Sequence, residues 1–264
     1  MARSSAPAER DNPLFVASIA KCFDVLEALN GASRPVALTE LAALARVERS
    51  AVQRITHTLK TLGYLRQHPQ TRAFTIAGRM LDFGHTVLAT DPVRAKAYPF
   101  LERLNATTGE TVNLMELEGD DIVYVARFPS LHAVSVDLHV GSRLPAFCTA
   151  AGRAILARLP EADAAARLAG APRKAMTAHT VTDLAGLKRA LADARKLGYA
   201  LNDQEAFLGD VSVAAALNDR GGNVVGAINI AVPSPRWKTE DVRRKLAPQV
   251  VATAHEIGLE LGVL

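Results

Sequence analysis

Apolar residues recur every three or four positions through the first third of the chain and then shift to alternation. From Ser18 to Asn30, Ile19, Cys22, Phe23, Leu26 and Leu29 keep the period of one helix face. Ser18 is the expected N-cap and Gly31 the stop. After Pro35, Thr39 is expected to cap a short helix, ELAALAR, that packs Leu41, Leu44 and Ala45. A third helix is expected over 48–62. With Val52 at zero, Ile55, Leu59 and Leu62 lie within about 80° of it, and Ser50, Gln53, Arg54 and His57 lie at about 100–200°. One face packs and the other presents a hydroxyl, an amide, a guanidinium and an imidazole. Next, YLRQHPQTRAFTI reads as two short strands around a His68–Thr71 turn. Two short helices, a longer one and a basic hairpin make a winged helix-turn-helix, whose third helix fits a DNA major groove.

Residues 78–90 predict a linker helix with Met80, Phe83, Val87 and Leu88 on one side, ended by Asp91-Pro92. Beyond it, 93–105 reads as a helix. ETVNLMEL and IVYVARF read as a hairpin over Glu118–Asp121, and AVSVDLHV (133–140) as a third strand. Thr149 opens the helix AAGRAILARL. Helices are expected near 161–169 and 183–197, then strands VSVAAAL and NVVGAINIAV, then a final helix over 239–261. The fold class is α+β, a winged helix-turn-helix followed by an antiparallel sheet carrying helices. The expected organisation is a flexible arm (1–17), a DNA-binding domain (18–77), a linker helix (78–91) and a second domain (92–264).

Charge sharpens this division. Up to Thr90 there are eleven Lys/Arg against seven Asp/Glu, and after it twenty of each. Between Arg46 and Arg79 seven basic residues face one acid, Glu48. A basic region joined to a neutral remainder suggests a polyanion-binding module, although a merely solvated basic face has the same composition. Apolar residues make up 49% of the 264, enough for a core without disulfides or metals. No run approaches the roughly 18 apolar residues of a membrane helix. The polar N-terminus lacks the apolar segment of a secretory signal. Cys22 and Cys148 are isolated, with no metal-ligand spacing, so no metal and a reducing cytoplasmic setting are expected. There is no Walker loop and no GxGxxG, so no cofactor is expected.

The candidate DNA contacts follow from the third helix and the wing. Gln53 suits adenine edges, and Arg54 suits guanine or a phosphate. Ser50, His57, Arg49, Arg66 and Arg72 suit backbone or phosphate contacts. Arg127, at the end of a strand, suits a ligand carboxylate. A competing possibility, an enzyme with Cys148 as nucleophile, rests on that thiol lying beside a helix start, with His132, His139 or His179 as a partner.

The stretch SIAKCFDVLEAL…LTELAALARVERSAVQRITHTLKTLGYLRQHPQTRAFTI resembles the winged-helix domain of the IclR family of bacterial transcriptional regulators. GSRLPAFCTAAGRAILA resembles that family's effector-pocket segment, and LGYALNDQEAFLGDVSVAAAL with GAINIAVP its C-terminal signature. The resemblance runs from about Ser18 to the C-terminus. It implies a GAF-like effector-binding domain, homodimers or homotetramers, and control of double-stranded operator DNA binding by a small anionic metabolite. By motif, it implies a pocket formed by Leu144, the amides of Ala150 and Ala151, Asp203 and Ser212. LPAFCTAAGRA is similar to the segment in regulators of aromatic-acid catabolism, which implies an aromatic or keto acid as effector.

Overall fold

The computed structural model describes residues 12–132 and 137–262, which divide into two compact units between Ala89 and Thr90. In the first, α1 (Ala17–Asn30), α2 (Leu38–Ala45) and α3 (Arg49–Thr61) precede a hairpin of β1 (Leu65–Gln67) and β2 (Phe74–Ile76). Val25, Leu26 and Leu29 of α1 meet Leu41, Val52, Leu59, Leu65 and Phe74 in one core. Arg46, in the left-handed conformation at φ 53°, turns the chain from α2 into α3. A bridge between Val36 and Phe74 ties the hairpin back to the segment before α2.

Several expectations need correction. Ser18 and Thr39 do not cap their helices, because α1 begins after Val16 and α2 after Ala37, each without a side-chain cap bond. Ile19, Phe23, Leu44 and Leu62 continue the apolar period but are more than half exposed. The small core takes only the second half of α1, and the stripe runs on past it. The expected linker helix is a 3-10 turn, Gly78–Met80, followed by α4 (Leu81–Thr90). Its Leu81, Phe83 and Val87 are exposed.

The second unit opens with α5 (Pro92–Thr108), capped by Asp91, whose Oδ1 accepts from the amides of Val93 (2.9 Å) and Arg94 (3.0 Å). The strands are β3 (Thr111–Glu118), β4 (Asp121–Phe128), β5 (Arg143–Pro145), β6 (Ala200–Asp203), β7 (Asp210–Asn218) and β8 (Val224–Pro233). They form one sheet in the order β5-β4-β3-β8-β7-β6, antiparallel throughout. Between β5 and β6 run α6 (Ala150–Leu156), α7 (Glu161–Gly170) and α8 (Leu184–Leu197). A final helix, α9 (Ala247–Glu260), packs with α5 against β3 and β7. The core around α6 joins Met115, Tyr124, Ala214 and Ala227 from the sheet to Ile155 and Leu187 from the helices.

The strand expected at 133–140 falls partly outside the described residues, and 137–140 is not a strand. The short β5 takes the edge beside β4 instead. The single helix expected over 239–261 is a turn (Thr239–Asp241), a π-helical stretch (Val242–Leu246) and then α9. Pro248 offers no amide to a regular helix, and the wider turn sits just before it.

Candidate functional site

In the first unit, α3 buries Val52, Thr56 and Leu59 and turns Ser50, Gln53, Arg54 and His57 to solvent. These four, with Lys60, Gln67 and Arg72, line a concave groove of about 820 Å³ between α3 and the hairpin. Lys60 Nζ donates to Gln67 Oε1 (3.1 Å), and Gln67 Nε2 donates to the Arg72 carbonyl (3.0 Å), so wing and helix are braced. Arg72 stands at φ 59° beside the tip of the wing. The pattern reading did not single out Lys60 and Gln67.

Not every basic residue of the segment serves this groove. Arg49 and Arg66 are exposed but lie outside its lining. Ser50 Oγ donates to Glu48 Oε1 (2.9 Å), which places an acid at the helix start. Arg79 Nη1 donates to the Leu62 carbonyl (2.6 Å) and its guanidinium stacks over Tyr64, closing the C-terminus of α3.

In the second unit a cavity of about 450 Å³ lies between the sheet and the start of α6. Arg127, Leu144, Ala150, Ala151 and Ser212 all line it. Thr149 Oγ1 caps α6 by accepting from the Gly152 amide (3.1 Å). The first-turn amides of Ala150 and Ala151, which have no partner within a helix, stand at the cavity wall.

Asp203 is not in the lining. Successive strand residues face opposite sides. In β6 the buried Asn202 takes the inner side, and Asp203 faces out to accept from Thr239 Oγ1 (2.6 Å). Asn202 donates to the Cys148 carbonyl and accepts from the Glu205 amide (3.1 Å). Glu205 holds Arg153 of α6 in a buried two-bonded ion pair (2.5 and 2.6 Å). The NDQE segment thus fixes the start of α6.

The sheet contributes polar residues that the pattern reading missed. Arg127, Asn113 and Asn229 pair side by side across β4, β3 and β8. Arg127 Nη1 donates to Asn113 Oδ1 (3.0 Å), and Asn113 Nδ2 donates to Asn229 Oδ1 (2.8 Å). Tyr124 and Arg127, three residues apart, would face opposite ways on a regular strand. A bulge makes Met115 pair with Tyr124 where Leu114 pairs with Ala126, so both reach the cavity. Asp210 completes the lining: burial pushes its acid up to about 7, against the pull of Arg127. Burial also raises Tyr124, with the charge of Asp210 adding to it.

Cys148 is fully buried, and burial pushes its thiol up to about 11. It lies outside the cavity lining, as do His132, His139 and His179. No group of His, Cys, Asp or Glu suited to a metal occurs among the described residues. No described helix is long and apolar enough to cross a membrane.

Residues 18–69 match the IclR helix-turn-helix domain, and residues 85–259 match the bacterial transcriptional regulator IclR C-terminal family. The Pca regulon regulatory protein of Pseudomonas putida is 31% identical over 259 residues, covering 96% of this chain and 88% of that one. The crystal structure of an IclR family transcriptional regulator from Brucella abortus superimposes with a TM-score of 0.81 at 25% identity, covering 98% and 97% of the two chains. An IclR homologue from Microbacterium hydrocarbonoxydans, solved in complex with 4-hydroxybenzoate, gives 0.76 at 22% identity over 92% and 98%. The chain belongs to the IclR family of transcriptional regulators.

Proposed function

We propose that this protein is a cytoplasmic, homo-oligomeric regulator of a catabolic pathway that binds operator DNA and responds to a small organic acid. The observation that carries the reading is the cavity of the second unit, where Arg127, Asn229 and the start of α6 gather cation and donors around a space of small-metabolite size. The acid is aromatic or keto, and the neighbour solved with 4-hydroxybenzoate supports the aromatic choice. Gln53, Arg54 and His57 read bases or grip phosphates, and Arg72, with Arg49 and Arg66, meets the flanking backbone. The exposed stripe of α4 supports pairing of two chains. That pairing sets recognition helices about 34–36 Å apart, or a multiple of it. The effector changes this spacing through the linker. We read the protein as a binder: burial of Cys148 and its raised thiol argue against the competing reading of Cys148 as a nucleophile.

Two measurements test the reading. A thermal-shift screen against hydroxybenzoates, other aromatic acids and short keto acids should reveal a ligand. At one hundred times its dissociation constant such a ligand stabilises by about 2.7 kcal/mol. With an operator identified, Arg54→Ala should weaken binding and reduce the salt slope by about 1 if Arg54 holds a phosphate. Full-strength operator binding by that variant would remove α3 as the reading helix.

A further inference from the structure

The cavity holds more polar groups than the described residues are seen to satisfy. A guanidinium only donates, so the bond from Arg127 falls on Asn113 Oδ1 and turns Asn113 Nδ2 toward Asn229. Asn229 then accepts through Oδ1 and is left presenting its Nδ2. That group, the Tyr124 hydroxyl and the Ser212 hydroxyl hydrogen-bond to no described residue, although all three residues are more than nine-tenths buried. None of them is among the enclosed polar atoms that lack a partner, so each opens into the cavity. Asp210 is the contrary case. Among the described residues it is the lone acid in the lining, and its carboxylate accepts no hydrogen bond from any of them.

A plain carboxylate suits the Arg127–Asn113–Asn229 row but meets Asp210 as a like charge. An acid carrying a hydroxyl or an amine suits both ends. We propose that Asp210 makes this cavity select an acid that also bears a hydrogen-bond donor, with the carboxylate on the row and the donor on Asp210. The proposal rests on the effector reading above and narrows it. Arg127 and Asp210 stand on β4 and β7 with β3 and β8 between. Three ordinary strand spacings are roughly 14 Å, and Asp210 lies four residues along β7 from Ala214, the register neighbour of Asn229, before the reach of the arginine is subtracted. The selected donor therefore lies at the far end of the molecule from its carboxylate.

The titratable groups facing Asp210 are few. Tyr124 and Arg127 come from β4, and the lining from β3, β5, β6, β8, the loop before β7 and the start of α6 is uncharged. With its acid near 7, Asp210 changes charge in the neutral range. A plain acid then binds with uptake of a proton by Asp210, and its affinity rises as pH falls through 7. A donor-bearing acid is held by the ionised form and loses affinity over the same range.

The test is calorimetric titration of the full chain with two matched sets: benzoate, 4-hydroxybenzoate and 4-aminobenzoate; and butyrate, 4-hydroxybutyrate and 4-aminobutyrate. At pH 8 the donor-bearing member of the set that fits should bind wild type roughly 10- to 100-fold tighter than its plain partner, the range for a hydrogen bond to a charged group. Preference in the hydroxyl arm or the amine arm tells which donor the effector carries, and either supports the proposal. Asp210→Leu should abolish the preference. Asp210→Asn, of nearly unchanged shape, should abolish the pH dependence of plain-acid binding even if the leucine variant fails to fold. Equal binding of plain and donor-bearing acids by wild type, or a preference that survives Asp210→Leu, overturns the proposal and leaves the effector reading intact. Binding of no acid in either set overturns both.

Discussion

Replacing Gly152 with alanine sets two effects of opposite sign against each other. Gly152 is the third residue of α6, and alanine in a helix interior is better than glycine by about 1 kcal/mol. Judged on propensity alone, Gly152→Ala stabilises. The structure gives the other side. A β-carbon at 152 would stand 2.2 Å from the Ala146 carbonyl oxygen, 2.4 Å from its α-carbon and 2.6 Å from its carbonyl carbon. Comfortable carbon contacts lie near ~3.5–4.0 Å, so the overlap exceeds roughly 1 Å against backbone that cannot rotate away. That backbone is itself enclosed, since Ala146, Phe147 and Cys148 are all buried. Overpacking of this kind costs about 1–3 kcal/mol and occasionally more, and an overlap with main chain belongs at the upper end. The expected net loss is about 2 kcal/mol or more. Urea unfolding followed by circular dichroism should show the midpoint of the second unit falling by about 1 M, given a slope near 2 kcal/mol/M. The same variant should bind acids more weakly, because relief of the clash moves Ala150 and Ala151 off the cavity wall. A midpoint that stays or rises would refute the close packing of α6 on the Ala146 turn.

Two further outcomes follow from buried groups. Native protein treated with iodoacetamide should be alkylated at the half-buried Cys22 and spared at Cys148 until urea unfolds it; rapid native labelling of Cys148 would revive a nucleophilic role. Glu116 on β3 is pushed up to about 7 by burial first and then by Asp91, whose Oδ2 is enclosed without a partner. The folded state therefore keeps a proton that the unfolded chain releases near 4.5, and stability falls as pH rises from there to about 7. Glu116→Gln should flatten that slope and stabilise by about 1 kcal/mol at pH 8, a figure discounted for partial exposure. An unchanged pH slope in urea midpoints would refute the raising of Glu116 by burial and Asp91.

Periodicity made the helices of the first unit and the long strands of the second legible, because each buries one face against a single core. It failed where the core ends. Phe23 and Ile19 keep the helical period of α1 yet stay exposed, and no period reports how far a small core reaches. Asn113 and Asn229 carried a signal that the chemistry-first reading passed over. Each interrupts an apolar strand, in TVNLMEL and GAINIAV, and a buried amide in such a run must find a hydrogen-bond partner. The pairing of Tyr124 with Arg127 carried none, because a spacing of three on a strand separates two residues until a bulge reunites them. Motif likeness brought Asp203 forward, whereas strand alternation gives the inner position to its neighbour Asn202.

The arginines show why residue type alone could not place the function. Arg54 is exposed beside a groove, where water solvates it at no cost and a polyanion can displace counterions. Arg79 is equally near α3 but is held by the Leu62 carbonyl, so its charge closes a helix. Arg153 is buried and bound on both terminal nitrogens by Glu205, where loss of either partner would strand a charge. Arg127 stands between these cases. It is half-buried, oriented by Asn113 and opposed at a distance by Asp210. An arginine fixed in direction, sharing a cavity with an acid that accepts no hydrogen bond from a described residue, fits the proposed small-molecule site better than a surface contact. The composition counts all four as the same charge, and only the surroundings each one finds in the fold separate the proposed DNA contact and the proposed ligand contact from a helix cap and a buried scaffold pair.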